Sequence, residues 1–140
     1  MHINFLSLLV GGVASLILGM IWYSKSLFGN TYMKALGADT NISPEKMKAI
    51  QKRMWQILLT QFVLSVFQVW VLAIYILRTP EVFPLANAIW IWAGFVMPTI
   101  AGGALWSARP RKDAWKIFWI TAGYQLVMFV VFALILKAWM

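Results

Sequence analysis

The sequence predicts an all-α fold, an integral membrane bundle of four transmembrane helices. Three observations carry this. Four apolar runs lie at about residues 3–23, 54–77, 83–106 and 115–137. A helix rising ~1.5 Å per residue needs ~20 such residues to cross a hydrocarbon core of ~30 Å. Of the 140 residues, 62% are hydrophobic and 11% are charged, against about 25% charged in a soluble domain. The charges also avoid the runs: no Asp, Glu, Lys, Arg or His falls in a span interior. A chain of this length is expected to form one domain over residues 1–140.

The first run is read as a retained span, not a secretion signal. No basic residue precedes it, and Trp22-Tyr23-Ser24 is a poor small-residue cleavage site. Gly11, Ser15 and Gly19 recur every four residues, a small-residue stripe that lets helix backbones approach.

The one long connection follows. Leu27–Leu36 predicts a short interfacial helix ended by Gly37. Ser43 then suits an N-cap, Pro44 the first helical position, and Glu45 the positive end of the dipole. Nothing after Pro44 breaks the pattern, so one helix is expected from Pro44 to Leu77, with its first two or three turns outside the hydrocarbon. Lys46, Lys48, Lys52 and Arg53 line those turns, and Met47 and Ile50 offer an apolar side. Residues 25–53 are thus a basic, amphipathic connector that either hugs the membrane or docks a protein partner.

In the second span, Gln61, Ser65 and Gln68 share a helical face. An amide facing lipid would leave its donors and acceptors unsatisfied, so this face is expected inside the bundle, toward the fourth span. The third span carries Gly94, Pro98 and Gly102 as a second small-residue stripe, and Asn87 as a further buried polar group. Pro98 cannot bond the carbonyl of Gly94 and should kink the helix there. In the fourth span, Thr121 matches Gln61 in depth, and Gln125 lies near the midplane with Gln68. With Tyr124, these form a candidate intramembrane polar cluster of Gln61, Ser65, Gln68, Thr121, Tyr124 and Gln125.

Charge sets the threading. Lys25, Lys34, Lys46, Lys48, Lys52 and Arg53 occupy the first loop; Arg109, Arg111, Lys112 and Lys116 follow the third span. The opposite side has only Arg78 and Lys137. Basic loops stay cytoplasmic, so both termini are expected outside. The net charge of +8 then serves topology and contact with anionic headgroups, not nucleic acid. Trp22, Trp55, Trp106, Trp115 and Trp139 fall at span ends as belt residues, whereas Trp70, Trp90, Trp92 and Trp119 lie deeper and are expected to pack.

Spans one and three end alike, in Gly19…Trp22-Tyr23-Ser24-Lys25 and Gly103…Trp106-Ser107…Arg109. Spans two and four begin alike, in Trp55-Gln56-Ile57 and Trp115-Lys116-Ile117. Either the two hairpins are a parallel repeat, or the same residue types have converged on cytoplasmic helix ends.

Chemistry is sparse. Asp39, Glu45, Glu81 and Asp113 are scattered over three loops, His2 is the single histidine, and there is no cysteine. No phosphate loop, zinc spacing or nucleophile elbow appears. No catalytic residue, metal or cofactor is therefore expected. A structural or accessory membrane component that forms a homo-oligomer is the first reading. A channel or carrier for a small neutral or lipid-like molecule, lined by the polar cluster, is the alternative.

Two segments carry a resemblance. Trp22-Tyr23-Ser24, then Leu27-Phe28-Gly29 and Met33-Lys34, is similar to the end of the first span in the domain of unknown function 1761 family. Gly94-Phe95, Trp115-Lys116-Ile117-Phe118 and Ala122-Gly123-Tyr124-Gln125-Leu126 resemble its second half. The departure is Lys25, where the pattern has proline. The resemblance implies a small bacterial four-helix protein of the inner membrane with no assigned activity. It marks Trp22, Tyr23, Ser24, Gly123 and Tyr124 as positions to test.

Overall fold

A computed structural model describes residues 2–37 and 43–139; Asp39 and the middle of the 25–53 connector lie outside the described residues. Among the described residues the chain forms five helices: α1 (Phe5–Trp22), α2 (Gly29–Ala35), α3 (Pro44–Arg78), α4 (Pro84–Leu105) and α5 (Arg111–Trp139). All but α2 are long and apolar enough to cross a membrane. This is the make-up of a multi-pass membrane protein.

The ends form where the sequence provides caps. The Asn4 side chain accepts from the N–H of Leu6 at 3.0 Å, satisfying one of the free donors of the first turn. Ser43 accepts from the N–H of Lys46 at 3.4 Å, and Pro44 opens α3. Gly37 follows α2 at φ +72°, a left-handed conformation that glycine adopts without penalty. At 35 residues and ~1.5 Å each, α3 is ~52 Å long, well beyond the ~30 Å of a hydrocarbon core. Its first turns, residues 44–53, are exposed throughout, as the charge pattern predicts.

The α3–α4 turn is fixed by a relay. Asn87 Nδ2 donates to Thr79 Oγ1 at 2.8 Å, and that hydroxyl donates to the carbonyl of Tyr75 at 2.8 Å. Asn87 is buried, as expected. Nearby, the Lys137 ammonium sits 4.3 Å from the centre of the Phe83 ring, a cation–π contact joining the start of α4 to the end of α5.

Pro98 acts through the turn before it. Trp92–Val96 is a π turn, in which the N–H of Met97 reaches back to the carbonyl of Trp92. The wider turn makes room where a proline ring would press on the carbonyl four residues earlier. Thr99 Oγ1 donates to the carbonyl of Phe95 at 2.5 Å, using one of the acceptors left near the break.

α5 is the hub. It packs against α1, α2 and α4, while α3 lies mainly along α1. Val69, Leu72, Ile76, Met128, Phe132 and Leu136 form the buried centre with Leu8 and Ala88. In lipid no hydrophobic drive separates helix from bilayer, so close packing and interhelical hydrogen bonds do the holding. Gly11 and Gly12 show how close α1 and α3 come. A Cβ at Gly11 would lie 2.7 Å from Val69 Cγ2, and one at Gly12 would lie 2.7 Å from both Phe62 Cε2 and Val66 Cγ2. Of the polar face of the second span, Ser65 is buried and Gln61 and Gln68 are half-buried. α3 nests in the glycine notch of α1 through Phe62, Val66 and Val69, and meets α5 in the buried centre.

Three of the four tryptophans expected to pack are exposed: Trp90 by 73%, Trp119 by 70% and Trp70 by 41%. An indole needs one hydrogen-bond partner and a large apolar contact, and neither its depth nor its neighbours in sequence decide which way it turns.

Candidate functional site

The best-built polar region is the junction where α1 ends, α2 begins and α5 passes beneath. Trp22 is the last residue of α1. Its indole lies over Gly123 of α5, where an added Cβ would be 3.3 Å from Trp22 Cζ2. The missing side chain lets Trp22 Nε1 reach the carbonyl of Ile120 and donate to it at 3.0 Å. Trp22 also packs on Phe28 with ring centres 4.8 Å apart.

Tyr23 terminates α1: its N–H returns to the carbonyl of Gly19 at 3.0 Å, and the N–H of Ser24 to that of Ile21 at 3.3 Å. Its ring meets Tyr32 of α2 at 5.0 Å and Tyr124 of α5 at 5.6 Å. These tilted and edge-on arrangements suit the aromatic quadrupole. Tyr124 runs back along α1, and its hydroxyl donates to the carbonyl of Ser15 at 2.8 Å. That path passes over Gly19, where a Cβ would sit 3.2 Å from the phenolic oxygen.

Ser24 makes the turn into α2. Its hydroxyl donates to the carbonyl of Ile21 at 2.7 Å, and its own carbonyl accepts from the N–H of Leu27 and of Gly29. Gly29 is required by this geometry, because a Cβ there would collide with the backbone carbonyls of Tyr23 and Ser24. Lys25 is exposed in this turn and leaves the packing of its neighbours to Trp22, Tyr23 and Phe28.

A second indole grips α5 from another side. Trp92 Nε1, in the π turn of α4, donates to the carbonyl of Ala122 at 2.9 Å. Trp22 and Trp92 therefore staple α1 and α4 to carbonyls two residues apart on α5. The sequence reading treated Trp22 as a belt residue and Trp92 as generic packing. The available signal for Trp22 was an indole on one span matched by a glycine, Gly123, on another.

The remaining polar candidates do not form one hydrogen-bonded cluster. Gln61 Nε2 donates to Ser65 Oγ at 3.2 Å within α3. Thr121 Oγ1 donates to the carbonyl of Ile117 in its own helix at 2.7 Å. Tyr124 belongs to the junction, Gln68 is half-buried, and Gln125 Oε1 is buried with no partner. The stripes also divide. Gly11 receives α3, while Ser15 and Gly19 receive Tyr124. On α4, nothing lies within 4 Å of a Cβ placed at Gly94 or Gly102, so that stripe is open.

The junction offers phenol, indole and amide groups, which hydrogen-bond and stack. Among the described residues, no group of three His, Cys, Asp or Glu could hold a metal ion.

A family model described as Protein of unknown function (DUF1761) matches residues 6–137. The chain belongs to this family. No curated protein and no solved structure matches it. Within this DUF1761 protein, the Trp-Tyr-Ser and Gly-Tyr segments that carried the resemblance are partners in one contact. They lie about a hundred residues apart in sequence and meet through Trp22 on Gly123 and Tyr23 on Tyr124.

Proposed function

We propose that this protein is a non-enzymatic structural or accessory component of the bacterial inner membrane, a single four-helix domain that self-associates. One observation supports this above others: the long-range polar contacts between helices are helix-to-helix fasteners. Trp22 to Ile120, Trp92 to Ala122 and Tyr124 to Ser15 each join a side chain to a backbone carbonyl of a different helix. Such bonds hold a scaffold.

Threading follows from charge. The end of α1, the start of α3, the end of α4 and the start of α5 share one end of the bundle, and ten basic residues collect there. The positive-inside rule assigns that end to the cytoplasm and both termini to the outside. Residues 25–53 then offer a basic surface to anionic headgroups or to a protein partner.

Self-association is expected through the open α4 stripe of Gly94, Pro98 and Gly102, flanked by outward-facing Trp90 and Phe95. The test is the mass of the protein in lipid nanodiscs or mild detergent. The unaltered protein should be an oligomer, and Gly102→Leu, which enters open space and spares the fold, should shift it to monomer. A monomer from the start, or an oligomer indifferent to Gly102→Leu, refutes this route.

The second reading, a channel or carrier for a small neutral or lipid-like molecule, draws on Gln125. Its buried, unpartnered Oε1 is a polar group awaiting a ligand or water.

A further inference from the structure

At the basic end of the bundle, a cavity of about 150 Å³ opens between the end of α4 and the start of α5. Its walls are Ile100, Gly103, Ala104, Ile117 and Phe118, and its mouth is Ser107 and Arg109. We infer that this groove binds one anionic glycerophospholipid, with the phosphate at Arg109 and the upper part of an acyl chain between α4 and α5.

Four features select that occupant. The walls are apolar and small on the α4 side: Gly103 leaves open space where any other residue would place a Cβ. A dry apolar cavity of about 150 Å³ takes a benzene-sized molecule, so the groove holds a short length of chain and leaves the remainder in the bilayer. Charge is complementary at the mouth. Arg109, Arg111, Lys112 and Lys116 face a single carboxylate, Asp113, which lies in the first turn of α5 and favours its own helix dipole. The Ser107 hydroxyl already donates to the carbonyl of Ala104 at 2.9 Å, so recognition falls to Arg109, whose planar fork matches phosphate oxygens. Depth agrees as well. Trp106 is 92% exposed one residue before Ser107, and an outward indole belongs at the headgroup level. An acidic peptide would meet the same charges but would have no segment to place among Ile100, Ile117 and Phe118, below that level.

This inference rests on the membrane-embedded reading with the basic end at a lipid surface. The test uses the full chain in vesicles of phosphatidylcholine containing a minor fraction of phosphatidylglycerol with the same acyl chains, followed by native mass spectrometry of retained lipid. Inorganic phosphate is the competitor. One phosphatidylglycerol should be retained in preference to phosphatidylcholine, and excess phosphate should not displace it. Arg109→Gln should reduce retention about tenfold, the loss of a charge-assisted bond. Gly103→Leu, which fills the groove without changing charge, should reduce it as well. Arg53→Gln, an equal charge change on α3 at the same basic end but away from the groove, should reduce it far less, because Arg53 adds only to the general surface attraction. Equal loss in Arg109→Gln and Arg53→Gln, or retention that survives Gly103→Leu, overturns the site in favour of general surface attraction. Displacement by phosphate overturns the lipid as occupant. A chain that fails to enter vesicles at all overturns the membrane reading with it.

Discussion

Gly12 offers a direct measure of how much close helix approach contributes. The perturbation is Gly12→Ala, compared with Gly102→Ala on α4. Both residues lie inside helices, so each substitution gains about 1 kcal/mol of helix propensity. Their surroundings differ. At Gly12 the new carbon would lie 2.7 Å from Phe62 Cε2 and from Val66 Cγ2, and at Gly102 it meets nothing within 4 Å. Carbon atoms prefer about 3.5–4.0 Å, so α1 and α3 must part by roughly an ångström or Phe62 must leave its rotamer. Overpacking of this kind costs about 1–3 kcal/mol. Gly12→Ala should therefore be neutral to destabilising by about 2 kcal/mol, and Gly102→Ala should stabilise by about 1 kcal/mol. The difference between the two, about 1–3 kcal/mol, is free of the propensity term. Reversible unfolding of the monomer in mixed micelles, followed by helix signal, measures it. Equal shifts in the two variants would refute the argument that the α1–α3 contact depends on the glycine notch.

Two further outcomes follow from the polar contacts. Tyr124→Phe removes the bond to Ser15 while keeping the ring between Gly19 and Tyr23; it should cost about 0.6–2 kcal/mol in the same unfolding assay, and no change would mean the hydroxyl is not seated on α1. Gln125→Leu replaces an unpartnered carbonyl oxygen and should gain about 1 kcal/mol; a loss of stability would show that Gln125 has a partner in the membrane, and altered solute flux in proteoliposomes would turn attention to the carrier reading.

The four long helices were legible because each is dictated locally. Ser43 and Pro44 mark the start of α3 and Gly37 the end of α2 by local preference, whereas the Asn4 cap and Pro84 went unread; about twenty apolar residues admit few conformations in lipid. Contact between helices was legible only in part. Gly11, Ser15 and Gly19 signal close approach, but a four-residue spacing names no partner, and the stripe turned out to serve α3 at one end and α5 at the other. On the Gln61, Ser65 and Gln68 face, Ser65 is buried, and helical spacing alone does not name the helix it turns to. Lining up depths by Trp55 and Trp115 fixes height in the bundle and leaves azimuth free. The indole staples were missed for a related reason. Belt position and carbonyl grip ask the same thing of a tryptophan, an apolar body and one acceptor, and only the gap at Gly123 separates them.

α3 has a mechanical consequence. It runs without a break from its exposed first ten residues, about 15 Å of helix, into the apolar stretch. Lys46 and Arg53 are two turns apart on one side of this post, and Lys48 and Lys52 lie one turn apart on the other. A rigid rod transmits rotation. Any turn of α3 about its axis in the glycine notch of α1 would sweep both pairs of cations through the same angle, so repacking at Gly12 would reorient the charges at the far end of the helix.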